Sequence, residues 1–169
     1  MKPSGLFLPG RVLAAVLVLA LLAPPCRAAG SASAQFNVTA TVLDNCAVSA
    51  GDLAFGNYSA GSGSPATATS TVQVTCTASL AYTIALDGGS AADVTSRTMS
   101  DGASHTLGYG LYTSAAYSTI WGDGTGGTST VPGTGSGSAQ SVTVYGRIPA
   151  SQFVTAGSYA DLVTVTVNY

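Results

Sequence analysis

The sequence predicts an all-β domain, a sandwich of short strands, and three observations carry that expectation. Apolar side chains recur at every second position in one stretch after another, the period of a strand with one face turned inward. Asp-Gly and Gly-Gly pairs, which take positive φ readily, fall between those stretches as turn signals. Strong helix formers are scarce: Glu is absent and Lys2 is the sole lysine, while Thr, Val, Tyr, Gly and Ser are abundant.

The chain opens with an export segment. Lys2 and Arg11 precede an apolar run over residues 12–22, too short to cross a bilayer comfortably, and small residues follow. A signal peptide over residues 1–34 is expected, with two cleavage points that fit. One follows Ala32-Ser33-Ala34 and leaves Gln35 at the mature N-terminus; the other lies within residues 28–30. Cys26 raises a lipoprotein signal, which Pro24-Pro25 directly before it matches poorly.

About 135 residues remain after Ala34, enough for one core and one domain. Their charge is sparse: Arg97 and Arg147 face seven aspartates, leaving a net −5. A nucleic-acid binder needs a basic face to displace counterions, so that class is excluded, and anionic membrane surfaces are excluded for the mature chain on the same ground. The arginines are expected either to pair with Asp161 or Asp93 or to be solvated. Cys46 and Cys76 are the cysteines left, and an even pair in an exported chain reads as a disulfide. Two thiols and a distant His105 do not make a tetrahedral metal set, so no metal and no cofactor are expected.

Taken in order, residues 35–45 place Phe36, Val38, Ala40 and Val42 on one face and Asn37, Thr39 and Thr41 on the other. This strand either pairs in its own domain after a turn at Leu43-Asp44-Asn45, or completes the sheet of a neighbouring copy. Residues 53–58 read as a short strand and 59–69 as a surface loop. Residues 71–78 turn Val72, Val74 and Cys76 inward, and 81–87 do the same with Tyr82, Ile84 and Leu86 before the Asp87-Gly88-Gly89 turn. A brief strand at 97–99 leads to 106–112, where Leu107, Tyr109 and Leu111 share a face. Ile120-Trp121 closes a small ribbon, and residues 122–137, nearly all Gly, Ser, Thr, Asp and Pro, read as a mobile loop. Residues 141–148 and 159–169 complete the set, the last alternating Val163, Val165, Val167 and Tyr169 against Thr164, Thr166 and Asn168.

Chemistry-bearing motifs are weak, and no enzyme is expected. His105, beside Ser104 and near Asp101, reads as a solvated turn residue, with no G-x-S-x-G elbow to pair with it. The aspartates mostly abut glycines, as turn formers do, and Asp123 lies in no twelve-residue calcium loop.

These marks together resemble a known family. Cys46, Leu53-x-Phe55-Gly56-x-Tyr58, Val72-x-Val74-x-Cys76, Tyr82-x-Ile84, Arg97-x-Met99, Leu107-x-Tyr109-x-Leu111-Tyr112, Trp121-Gly122-Asp123-Gly124, Val144-Tyr145-Gly146-Arg147-Ile148, Gln152 and Gly157-x-Tyr159-x-Asp161-x-Val163 occur in an order similar to that of the spore coat protein U domain. That domain is the fold unit of archaic chaperone–usher pilins. The resemblance spans essentially the whole mature chain; within residues 122–137 nothing beyond Gly122-Asp123-Gly124 is matched.

It implies an immunoglobulin-like, pilin-type sandwich that is incomplete, lacking its last strand. A periplasmic chaperone would lend a strand during export, and the next subunit's N-terminal strand would replace it at an outer-membrane usher. On this chain the resemblance makes 35–45 a donor strand, with Phe36, Val38, Ala40 and Val42 entering a groove, and 46–169 the sandwich. Val163, Val165, Val167 and Tyr169 would edge that groove, opposite the first core strand near residues 46–48. The expected product is a pilus or fimbria subunit at the cell surface. The alternatives are a secreted coat or matrix protein, or an adhesin using Tyr112, Tyr117 and Trp121 as a contact patch.

Overall fold

The computed structural model describes Arg27 and residues 29–169; the export run and Cys26 lie outside the described residues. The chain divides into two units, residues 1–39 and 40–169. In the first, the described residues are exposed and carry neither helix nor strand, with Phe36 and Val38 at 85% and 83% exposure.

The second unit is all-β among the described residues, apart from one 3-10 turn at Gly89–Ala91. Its nine strands are β1 (Cys46–Ala50), β2 (Ala66–Cys76), β3 (Ala81–Leu86), β4 (Thr98–Ser100), β5 (Thr106–Gly108), β6 (Gly110–Tyr112), β7 (Val131–Thr134), β8 (Gln140–Ile148) and β9 (Val165–Asn168). One sheet has the order β1-β2-β8-β6, the second β7-β3-β9, and β4-β5 forms a separate ribbon. Every named pairing is antiparallel.

The core lies between the two larger sheets. Val72, Val74 and Cys76 from β2, Val144 and Ile148 from β8 and Leu111 from β6 meet Tyr82, Ile84 and Leu86 from β3, as their period-two spacing predicts. Trp121 is fully enclosed, and its Nε1–H donates to the Ile84 carbonyl at 3.0 Å. Cys46 stands directly opposite Cys76 in the β1–β2 ladder, and the two form the expected disulfide.

Several expectations needed correction. Residues 66–69, read as loop, belong to β2: Ala66, Ala68 and Ser70 alternate inward, but side chains so small give little apolar signal. Residues 106–112 are two strands, because the chain leaves β4 at Gly108 and joins β8 at Gly110. The 122–137 stretch contains β7, paired to β3 from Val131 to Thr134. Residues 53–56 keep their inward–outward alternation, which shifts by one after Gly56 (φ +68°) so that Tyr58 turns inward, yet the stretch has no ladder partner among the described residues, and no strand is assigned over 35–45 or 159–164.

Candidate functional site

A groove of about 1090 Å³ opens at one side of the sandwich. Its floor is apolar core, including Val72, Leu107, Tyr109, Leu111, Val144 and Ile148. One bank is residues 50–58, from which Leu53, Phe55 and Tyr58 turn partly buried side chains inward. The other is residues 154–165, carrying Val154, Tyr159, Val163 and Val165.

The banks run in opposite directions. At one end β1 packs beside β9. At the other, the Tyr58 hydroxyl donates to the Pro149 carbonyl and accepts from the Gln152 amide, both at 2.9 Å. The chain thus ascends one bank and descends the other. A strand laid between them would run parallel to one and antiparallel to its opposite.

Both banks carry unpaired main chain. The last ladder-like bond on the first is from Gly51 N–H to the Thr71 carbonyl, and after it residues 52–58 make no backbone–backbone hydrogen bond among the described residues. On the second, residues 155–159 make none between backbone groups. Backbone donors and acceptors ordinarily find partners; here, apart from the Thr155 carbonyl, which accepts from the Tyr159 hydroxyl at 2.7 Å, the two facing rows leave theirs open beside an apolar floor.

The upper part of the second bank is firmly fixed. Ala160 and Ser100 exchange two backbone bonds at 2.9 Å. The Asp161 carboxylate accepts from the amides of Ser90 (2.8 Å) and Leu162 (2.9 Å) and from the Tyr109 hydroxyl (2.6 Å). Burial raises the Asp161 carboxyl, but these donors outweigh it and leave it below the usual carboxylate value. Burial, reinforced by the bond to Asp161, pushes the Tyr109 hydroxyl well above its ordinary range, so it stays a donor. Asp87 accepts from the amides of Thr164 and Gly89. Its carboxyl too is raised by burial and more than offset, by Thr164, Gly89 and the charge of Arg97.

Arg97 lies behind this bank at 1% exposure. Its guanidinium donates to the carbonyls of Asp87, Val94, Leu86 and Trp121 and pairs directly with no carboxylate. The expected partnership with Asp161 or Asp93 is therefore replaced by carbonyls, which a planar five-donor fork satisfies in several directions at once. Burial lowers the group's pKa, opposed by the neighbouring acidic groups of Tyr109, Asp87, Asp161 and Asp123. Arg147 is instead half-buried on β8, with its guanidinium over the Tyr117 ring at 5.4 Å.

Of the residues expected to edge a groove, Val163 and Val165 line it. Val167 lies opposite Ile84 in the β3–β9 ladder, and Tyr169 is exposed beyond the end of β9. The opposite bank is 50–58 rather than residues 46–48, because β1 lies against β9 and the sheets part only beyond it. Phe36, Val38, Ala40 and Val42 are all exposed. Trp121 is enclosed and offers no contact surface, while Tyr112 meets Tyr117 edge-to-face. His105 contacts Asp101 at the surface. Met99 and Asp161 belong to the groove although sequence reasoning gave them no such role; their signal was proximity to Arg97 and Val163.

The family model for the Spore Coat Protein U domain matches residues 32–166. Among solved structures the chain is similar to one in the crystal structure of the CsuC–CsuE chaperone–tip adhesion subunit pre-assembly complex, from archaic chaperone–usher Csu pili of Acinetobacter baumannii. The TM-score is 0.55 at 24% identity, covering 76% of this chain and 40% of that one. The chain thus spans two-fifths of that neighbour, and at this identity the likeness is one of fold. No curated protein matches it. With its family model covering residues 32–166, this chain belongs to the Spore Coat Protein U domain family.

Proposed function

We propose that this protein is the structural subunit of a secreted surface fibre, assembled when residues 35–42 of one copy fill the groove of the next. The observation that carries this reading is the groove itself: two antiparallel banks with open main-chain groups, over an apolar floor. The donor has matching chemistry. Phe36, Val38, Ala40 and Val42 alternate with polar residues, and all four are exposed. Strand addition meets both needs of such a slot, since main-chain bonds give affinity and alternate side chains fill pockets. A head-to-tail contact of this kind does not close on itself unless the rotation happens to make a ring, and so it propagates as a filament.

The likeness to a subunit solved in a chaperone pre-assembly complex supports the further reading that a periplasmic chaperone occupies the groove first. An outer-membrane usher would then exchange it for the next subunit, and the fibre would emerge at the cell surface. The role is structural, with no reaction step.

The test is direct. Mature subunits mixed with a synthetic peptide of residues 35–45 should form a 1:1 complex by native mass spectrometry, and deleting residues 35–42 should abolish fibres in electron micrographs. Subunits that ignore the peptide, or fibres that persist without the segment, would overturn the assignment.

A further inference from the structure

We infer that Asp161 is a positioning residue for strand capture, holding Val163 and Val165 at the groove edge through a loop built for that purpose. This rests on the groove being the strand-binding site proposed above.

The second bank has a fixed half and a loose half. Residues 155–159 make no bonds between backbone groups, whereas residues 160–164 are fastened at three successive points. Ala160 is bridged to Ser100, Asp161 is gripped by Ser90 and Tyr109, and Thr164 is held through both its amide and its carbonyl by Asp87. Val163 lies between the last two fasteners, and Val165 follows them. The β3–β9 ladder begins only at the Leu86–Val165 pair, so below it these fasteners, backbone and side chain together, do the work that a ladder does elsewhere.

The partner loop is shaped to receive the carboxylate. Gly89 sits at φ +60°, and a Cβ there would collide with Asp161. Only a residue without a side chain lets Asp161 reach the Ser90 amide. The loop is in turn pinned from behind by Arg97, whose guanidinium holds the carbonyls of Leu86, Asp87 and Val94. A buried cation bonded only to carbonyls is an expensive way to stabilise a core. It is suited to fixing a loop whose outward carboxylates, Asp87 and Asp161, must stay aimed at the bank.

Asp161 touches the groove wall rather than the floor, so its loss should alter capture more than folding. Hydrogen bonds to a charged group are worth enough that losing them should weaken uptake of the 35–45 peptide by about tenfold. The experiment compares the mature protein with Asp161→Ala, Asp161→Asn and Tyr109→Phe, measuring peptide affinity and the denaturant midpoint for each. Expected are tenfold weaker binding by Asp161→Ala under conditions where the protein is still fully folded, a modest fall in midpoint from the lost bonds to Ser90 and Tyr109, and substantial recovery of binding in Asp161→Asn, whose amide oxygen still accepts from Ser90 and Leu162. Tyr109→Phe deletes one hydroxyl from the same knot; it should weaken uptake more modestly, and it keeps the question answerable if Asp161→Ala does not fold. Wild-type affinity in both Asp161→Ala and Tyr109→Phe overturns the inference while leaving the groove assignment intact. A wild-type protein that takes up no peptide overturns the groove assignment itself, and this inference with it.

Discussion

Replacing Phe36 by Ala separates a donated strand from an ordinary one. In the lone chain Phe36 is 85% exposed, so truncation removes few native contacts and should move the subunit's own stability by no more than about 0.5 kcal/mol. In a filled groove the same ring would be buried. Fully burying a side chain of this size contributes ~1.5–3 kcal/mol, most of which Ala forgoes. At the upper half of that range the 35–45 peptide carrying Phe36→Ala should bind roughly 30- to 150-fold more weakly than its parent. Asn37→Ala, on the opposite face, is the internal control and should leave affinity within about twofold. Competition against a labelled parent peptide gives both numbers, and a thermal melt of the Phe36→Ala subunit gives the third. The reasoning fails if Phe36→Ala and Asn37→Ala compete equally, or if Phe36→Ala destabilises the isolated subunit by several kcal/mol.

Three other outcomes are expected. Reducing Cys46–Cys76 opens a 30-residue separation and should lower stability by about 3–4 kcal/mol, seen as a shifted denaturant midpoint in reductant. Arg97→Ala strips hydrogen bonds from four carbonyls in the interior and should cost about 3 kcal/mol or more, with Arg97→Lys recovering only part, since one ammonium cannot span all four. The folded-state pKa values of Asp87 and Asp161 lie below the ordinary 3.8, so their contribution is fully present above that pH and is lost as pH falls through the depressed values. Melting temperatures should therefore hold steady down to about pH 4 and then decline, and Asp161→Asn should flatten part of the decline.

The core was legible because its residues advertise themselves. Val72, Val74, Cys76, Tyr82, Ile84 and Leu86 alternate without interruption, and each is buried. The disulfide followed from cysteine count and export alone. Strand β7 was not legible, since Val131-Pro132-Gly133-Thr134 carries one large aliphatic residue beside proline, glycine and threonine. Gly133 is small because the Tyr82 ring lies on it, a packing reason that no local pattern discloses. Residues 53–58 show the reverse case: Leu53 and Phe55 gave a correct strand-like pattern, but whether a neighbour is present to pair with them is not a local property. The tasks of Asp161 and Arg97 were hidden for a similar reason. They depend on loop 87–90 folding back over residues 161–164, more than seventy positions away in sequence.

The fate of the two arginines also bears on resistance to proteolysis. A trypsin-like protease must seat a basic side chain in a deep pocket and draw several flanking residues into an extended thread. Arg97 has its guanidinium sealed inside the domain, and Arg147, one residue from the end of β8, is held in the sheet with Thr67 paired on one side and Gly110 on the other. Between residues 29 and 169 there is no further lysine or arginine to cut. So long as it stays folded, the domain presents that class of enzyme with nothing to grasp.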